Sequence, residues 1–261
     1  MARFCSLFSS SSGNCTYIGT PDSGILIDAG VSARRIENAL KARDIDPSTL
    51  KGIFVTHEHT DHTAGLRVLQ KRYGIRIYAS SGTREGLYES GALAPDSVCL
   101  SFDEFCDDAF SVIPFATSHD CRESCGFRVT LRDGRTVGVA TDLGVMTEEV
   151  RVGLSGCDLI HIESNHDVRM LENGPYPYHL KCRILSDCGH LSNEACAAEL
   201  PTLVQKGTTR ISLGHLSREN NLPALAHAAA TAVLQQYGCR ENVDYLLQVA
   251  SPESQQGLLI F

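Results

Sequence analysis

The sequence predicts an α/β fold in which mixed β-sheets are covered by helices. Short apolar runs alternate with amphipathic ones along the whole chain. The early runs are joined by turns and the later ones by helical segments, the pattern expected of mixed sheets with helices packed on them. The 261 residues and 43% hydrophobic content can supply one large layered core or two small ones. No low-complexity linker divides the chain, so 1–261 reads as a single domain.

Strands are expected over 3–8 and 15–19, joined by the polar loop Ser9-Ser10-Ser11-Ser12-Gly13-Asn14. A strand over 24–28 leads to a helix over 32–43. Strand 52–55, a helix over 64–73, strand 75–79 and a helix over 81–90 follow. Strands 110–115, 126–132 and 136–141 come next, the last two joined through the Asp-Gly turn of Arg132-Asp133-Gly134-Arg135. Strand 157–162 precedes helices over 167–172, 177–186 and 193–205. Strand 209–213, a helix over 221–237 and strand 243–249 complete the series. Gly189-His190-Leu191-Ser192 recurs as Gly214-His215-Leu216-Ser217 ahead of two of these helices. Helix capping explains the serines but not the histidines.

Composition narrows the setting. A net charge of -8 argues against a broad basic nucleic-acid surface but leaves room for a local one. Arg34, Arg35, Lys41 and Arg43 share one expected helix, and Arg67, Lys71, Arg72 and Arg76 cluster after the segment 56–62; each cluster reads as a solvated helix face. The eleven cysteines are scattered and include no Cys-x-x-Cys pair, which suits reduced thiols better than an exported disulfide framework. Cys121, Cys125 and Cys188 lie close to histidines and are read as passive. No apolar run reaches the roughly 20 residues of a membrane span. The N-terminus reads as a strand rather than a signal peptide, so the expected compartment is the cytoplasm.

The segment Thr56-His57-Glu58-His59-Thr60-Asp61-His62 carries the chemistry. It follows the apolar run Gly52-Ile53-Phe54-Val55 and gathers three imidazoles and a carboxylate beyond what folding requires. His57 and His59 are two apart, so on extended chain they project to the same side. Asp61 and His62 stand at the entry of the following helix. Imidazole and carboxylate are preferred ligands of borderline divalent metals, and this turn can feed two of them. His119, Asp142, His215 and Asp28 each follow an apolar run, where a strand end could bring them to the same place.

With these residues the chain resembles the metallo-β-lactamase-fold hydrolases over nearly its whole length, the His-x-His-x-Asp-His motif being highly specific. The resemblance implies a four-layer αββα sandwich with two metals at the edge between two sheets. It implies that His57, His59 and His119 hold one metal, that Asp61, His62 and His215 hold the other, and that Asp142 bridges them. Asp28 would orient a ligand, while Glu58 and Thr60 occupy structural positions. Zinc, manganese and iron all suit the set. Further segments resemble the bacterial YycJ/WalJ-type branch: the Ser9–Asn14 loop, Ser118-His119-Asp120, Glu163-Ser164-Asn165-His166-Asp167, Asn173-Gly174-Pro175-Tyr176-Pro177, Gly189-His190-Leu191-Ser192-Asn193 and His215-Leu216-Ser217-Arg218-Glu219-Asn220-Asn221. That branch is linked to 5′ to 3′ exonuclease action on double-stranded DNA. Cys188 departs from it, since a histidine is expected there. A relation to the ribonuclease Z family shows in Asp158-Leu159-Ile160-His161-Ile162-Glu163 and Gly189-His190-Leu191-Ser192.

The resemblance implies phosphodiester hydrolysis by metal-bound hydroxide, with Asp61 helping to orient the nucleophile. His190, held by Glu163, is the candidate for protonating the leaving oxygen. Ser192 and Asn193, and Ser217, Asn220 and Asn221, are candidate substrate contacts because they begin helices, and Asn165 and His166 are further candidates from a loop. Only 72 residues separate Asp142 from His215, too few for a large cap domain, so 164–189 is expected to form a small helical insertion. Other readings share the fold: a thioester, lactone or β-lactam hydrolase, a redox di-iron protein, or a non-catalytic relative. The Glu163–His190 pair favours phosphodiesters. A di-iron relative carries a carboxylate where this chain has His59, and a non-catalytic relative would not keep every ligand position filled.

Overall fold

Alternation along the strands sets the layering, because successive side chains leave a strand on opposite faces. The structure, a computed structural model, describes residues 1–253 and 257–261. The first sheet contains β1 (Arg3–Phe8), β2 (Cys15–Gly19), β3 (Gly24–Ile27), β4 (Leu50–Phe54), β5 (Arg76–Ala79), β6 (Cys99–Ser101) and β14 (Leu259–Ile260), in the order β14-β1-β2-β3-β4-β5-β6. The second contains β7 (Phe105–Cys106), β8 (Phe110–Ala116), β9 (Cys125–Leu131), β10 (Thr136–Ala140), β11 (Leu159–Glu163), β12 (Arg210–Gly214) and β13 (Leu246–Val249), in the order β13-β12-β11-β10-β9-β8-β7. In each sheet antiparallel pairing gives way to parallel pairing, at β3 in the first and at β10 in the second. The Asp-Gly turn joins β9 to β10, with Gly134 at φ 85°.

Three apolar layers follow from this alternation. Phe4, Ile25, Ile27 and Phe54 of the first sheet meet Phe110, Phe127, Val137 and Leu159 of the second. The opposite face of the first sheet, with Leu7, Leu26 and Ile53, receives α1 (Ala33–Lys41), α3 (Leu66–Tyr73) and α4 (Ser81–Glu89) through Ile36, Leu40, Leu66, Leu69 and Leu87. The outer face of the second sheet, with Ile160, Ile162 and Leu213, receives α5 (Glu148–Leu154), α8 (Asn193–Gln205) and α9 (Pro223–Gln236) through Val150, Leu154, Leu200, Ala230 and Leu234. The result is the expected four-layer αββα sandwich. Among the described residues no helix is long and apolar enough to cross a membrane.

Local differences from expectation have local causes. The helix expected over 64–73 is α3, which begins at Leu66, and a separate short helix, α2 (Thr60–Thr63), precedes it; between them stands Gly65, where a Cβ would lie 2.6 Å from the Val31 carbonyl oxygen. The strands β6, β7 and β14 are two or three residues long, too short to show a period. Helix α5 has only seven residues, although its cap is legible: Thr147 Oγ1 accepts from the Val150 N–H, and Glu148 and Glu149 fill the first turn. The 164–189 stretch holds two short helices, α6 (Val168–Asn173) and α7 (Tyr178–Ile184).

Candidate metal centre

Parallel strands bring their C-terminal ends to one edge of a sheet, and here both sheets do so side by side. β3 and β4 end at Asp28 and at the His57–His62 segment; β10, β11 and β12 end at Asp142, Glu163 and His215. Asp28, Asp142 and His215 adopt left-handed backbone with φ of 62°, 57° and 54°. That conformation is uncommon outside glycine, and tolerated best by Asn, Asp and His. It turns the chain sharply at each strand end, a local cost that clusters at functional sites.

The edge gathers the donors into adjoining groups. His57, His59 and His119 offer three nitrogens, and Asp61, His62 and His215 two nitrogens and an oxygen, each group within 4.8 Å of itself. His57 Nε2 and His59 Nδ1 are 3.0 Å apart. His119 Nδ1 lies 3.1 Å from the Gly189 carbonyl, which places the proton on Nδ1 and leaves Nε2 as a lone-pair donor. Asp142 stands between the groups: Oδ2 is 3.1 Å from His62 Nε2, and Oδ1 is 3.8 Å from His119 Nε2.

Behind these donors stands a layer of supports. Asp28 accepts from the Thr56 N–H at 2.8 Å and from Thr56 Oγ1 at 2.9 Å, and its Oδ2 lies 2.8 Å from His62 Nδ1. This leaves His62 Nε2 facing Asp142 and Asp61. Glu163 is fully buried. Its Oε1 lies 2.9 Å from His190 Nδ1 and 2.7 Å from His215 Nδ1, while Oε2 accepts from the Leu143 and Leu191 N–H groups at 3.0 and 3.2 Å. His190 is 18% exposed at the mouth of the edge. The sequence pairs Glu163 with His190; it does not show that the same oxygen also holds His215.

Whether the pocket suits a cation can be read from its charge and its unfilled atoms. Asp142 Oδ2 and His215 Nε2 are buried without a hydrogen-bond partner among the described residues. Burial alone would lower the pKa of His62, but Asp142, Asp28 and Asp61 raise it well above the usual histidine range. Burial likewise opposes charge on His215, yet Asp142, Asp61 and Glu163 raise it to about 10. His57, by contrast, is lowered well below the usual range, first by burial and then by the neighbouring His62. Against the cost of burial, the adjacent His190 and the hydrogen bonds of His190 and His215 bring Glu163 down to about 2. The carboxylates thus hold protons on imidazoles that face them, and divalent cations can take the place of those protons. The donor set fits divalent metal.

Most of the other candidates turn out to be built into the walls. Asn193 is 2% exposed: its Oδ1 accepts from Ser164 Oγ and Asn221 Nδ2, and its Nδ2 donates to Asn221 Oδ1. Asn221 also donates to the Ser164 and Asn165 carbonyls, and Asn165 donates to the His215 carbonyl. Ser217 Oγ accepts from the Asn220 N–H, and Asn220 is fully buried. Asn193, Ser217 and Asn220 thus take part in the hydrogen bonds that hold the loops after β11 and β12. Ser192 caps α8 by accepting from the Ala195 N–H at 3.1 Å. His166 is 1% exposed with neither ring nitrogen hydrogen-bonded, and burial lowers it to about 4. Glu58 Oε1 accepts from the Arg122 N–H. Cys125 is buried, Cys121 partly so, and burial raises both thiols; Cys188 is exposed with Sγ 3.7 Å from Ser118 Oγ.

Two supports escaped the sequence reading as individual residues. Asn14 Nδ2 lies 3.0 Å from His62 Nε2 and 3.4 Å from Asp61 Oδ2. Its signal is its place in the Ser-Gly-Asn loop. Arg183 of α7 pairs with Asp120, with Nη2 to Oδ1 at 3.0 Å, tying the small helical insertion to the loop of His119.

Known proteins resemble this chain in sequence and fold. A family model described as a beta-lactamase superfamily domain matches residues 24–234. The exodeoxyribonuclease YycJ of Bacillus anthracis is 35% identical over 239 residues, covering 90% of each chain. The exodeoxyribonuclease WalJ of Streptococcus pneumoniae is 35% identical over 257 residues, covering 97% of this chain and 95% of its own. The crystal structure of the metallo-β-lactamase-fold protein YhfI of Bacillus subtilis superimposes with a TM-score of 0.70 at 15% identity, covering 99% of this chain and 98% of its own. The chain belongs to the β-lactamase superfamily, in the same family as YycJ and WalJ.

Proposed function

We propose that the protein is a metal-dependent exodeoxyribonuclease that hydrolyses phosphodiester bonds of double-stranded DNA from the 5′ end. The observation that carries this reading is the buried Glu163 carboxylate, which holds His190 at the mouth of the donor cluster. The names of the 35%-identical relatives, both exodeoxyribonucleases, support it. His57, His59 and His119 would hold one divalent ion and Asp61, His62 and His215 the other, with Asp142 between them. Zinc and manganese suit the donors best, and iron fits as well. When bound, such a pair supplies positive charge for the phosphoryl oxygens and lowers the pKa of water.

The chain's own residues do the rest. Glu163 Oε1 accepts the Nδ1 proton of His190, which fixes the ring and directs Nε2 outward. With its ring held in this way, His190 Nε2 would hand a proton to the departing oxygen. Asp61, 3.5 Å from His62 Nε2, is placed to orient the attacking water.

Digestion of 5′- and 3′-labelled single- and double-stranded DNA and RNA with Zn²⁺ or Mn²⁺ tests the proposal, with His59→Ala as the control for contaminating nuclease. Stepwise loss from 5′ ends of duplex DNA, absent in the control, is the expected result. Hydrolysis of nitrocefin or a glutathione thioester without hydrolysis of bis-p-nitrophenyl phosphate would overturn it.

A further inference from the structure

The helix that follows the ligand segment opens onto a second feature. Arg67 and Lys71 are one turn apart on the exposed side of α3, and Arg76 begins β5 just beyond it. With Gln70, Gly74, Asp96 and Val98 they line a cleft of about 500 Å³. The cleft has a fixed wall. Gln70 Nε2 of α3 donates to the Val98 carbonyl at 2.6 Å, and Tyr88 Oη of α4 donates to the Ser97 carbonyl at 2.8 Å, which ties Ser97 and Val98 to both helices.

Charge sets this cleft apart. Arg67, Lys71 and Arg76 form no ion pair among the described residues, whereas Arg72, on another side of the helix, is committed to Glu37. Asp96 is the single acidic lining residue. Of the other clefts, one is balanced, with Glu148, Arg151, Glu199 and Lys206, one is acidic, with Asp103 and Glu123, and one has Arg210 as its single charged lining residue; none of these gathers three cations. A net positive concavity is out of keeping with a chain of charge -8.

The cleft runs along α3 from the side of the donor cluster toward the opposite end of the sheet. α2 carries Asp61 and His62, and α3 starts at Leu66. β4 and β5 are parallel neighbours, so the intervening α3 runs back along the sheet, away from the strand ends that hold the site. Arg67 is thus at the end near the site and Arg76 at the far end. From Arg67 to Gly74 the helix advances about 10 Å, on the order of three nucleotides of one strand.

We propose that this cleft binds the phosphodiester backbone of a nucleic-acid strand running outward from the cleavage site, through Arg67, Lys71 and Arg76. It rests on the nuclease reading given above and adds to it a place for the uncleaved strand. The test compares wild type with Arg67→Glu/Lys71→Glu and Arg67→Gln/Lys71→Gln. A double reversal on other surfaces, Arg132→Glu/Lys206→Glu, changes net charge equally. Each is assayed on a 20-base-pair duplex at several salt concentrations and on bis-p-nitrophenyl phosphate, which has no strand to lay along α3.

Expected for both cleft variants is a fall of roughly tenfold or more in kcat/KM on the duplex. The slope of log affinity against log salt should shrink by about 2, near one unit per lost phosphate contact. Turnover of the small diester and duplex cleavage by the distant reversal should stay within twofold of wild type. Unchanged duplex kinetics and slope, equal losses on both substrates, or an equal loss in the distant reversal overturns the cleft. If wild type cleaves neither substrate, the nuclease reading fails and the cleft falls with it. If wild type cleaves both and the cleft variants match it, the cleft alone fails.

Discussion

At the residue scale, His190 and Asp28 make opposite predictions because they stand on opposite sides of the donors. Removing His190 leaves Glu163 with His215 Nδ1 and the Leu143 and Leu191 N–H groups, so the buried carboxylate keeps its partners. His190→Ala should therefore keep fold and metal content while turnover falls ~10²-fold. Metal analysis beside steady-state kinetics checks this, and unchanged turnover would remove His190 from proton transfer. The Asp28 carboxylate touches Thr56 and the Nδ1 of the donor His62, so it acts behind the donors rather than among them. Asp28→Ala should weaken metal affinity ~10–100-fold, measured by competition with a chromophoric chelator, because His62 loses the group that fixes its ring. An affinity within twofold of wild type would show that Thr56 alone suffices. The donor residues were legible in the sequence because residue type and strand-end position are both sequence properties. The shared role of Glu163 was not, since it depends on β11 and β12 pairing in the register that sets Glu163 beside Gly214. Nor were the hydrogen-bond partners of Asn193, Ser217 and Asn220, because a helix start looks the same in sequence whatever its polar groups face.

At the scale of elements, what positions Asp61 is a backbone contact. Asp61 O accepts from the Asn14 N–H at 2.8 Å, and a Cβ on Gly30 would fall 1.6 Å from that same oxygen. No side chain can rotate away from such a clash, so the loop after β3 and the turn of α2 must separate. Gly30→Ala is expected to cost about 3 kcal/mol or more of stability, and to lower metal content in the protein that still folds. Denaturant midpoints and metal analysis on the same preparations measure both; an unaltered midpoint would show that the two turns move apart freely. The major strands were legible as apolar runs of four or more residues, and the flanking helices as amphipathic runs, the short α6 and α7 included. β6, β7 and β14, at two or three residues, were too short to read, and α5 was missed at seven. Of these, only α5 carried a separate signal, its Thr147 cap.

At the scale of the whole molecule, a titratable group inside the sandwich makes stability depend on pH. On β11, Leu159, His161 and Glu163 share the face turned toward the first sheet, while Ile160 and Ile162 face the helices. His161 is buried there, its ring centroid 5.8 Å from that of Phe4 in the opposite sheet and its Nδ1 3.0 Å from Ser212 Oγ. Burial first, and the neighbouring His215 second, lower its pKa to about 4. The folded chain therefore keeps His161 neutral where the unfolded chain, titrating near 6.5, takes up a proton. Since the folded pKa is depressed, the contribution is complete above pH 6.5 and is lost as pH falls toward 4. By pH 5 the loss amounts to about 2 kcal/mol. Other histidines titrate as well, so the measurement is a difference: urea midpoints of wild type and His161→Gln at pH 7.5, 6.5, 5.5 and 5.0. Gln can keep a hydrogen bond to Ser212 but cannot titrate, so the variant should start less stable and lose less on acidification. Parallel pH profiles for the two proteins would mean that the sandwich opens enough near β11 for His161 to protonate without unfolding.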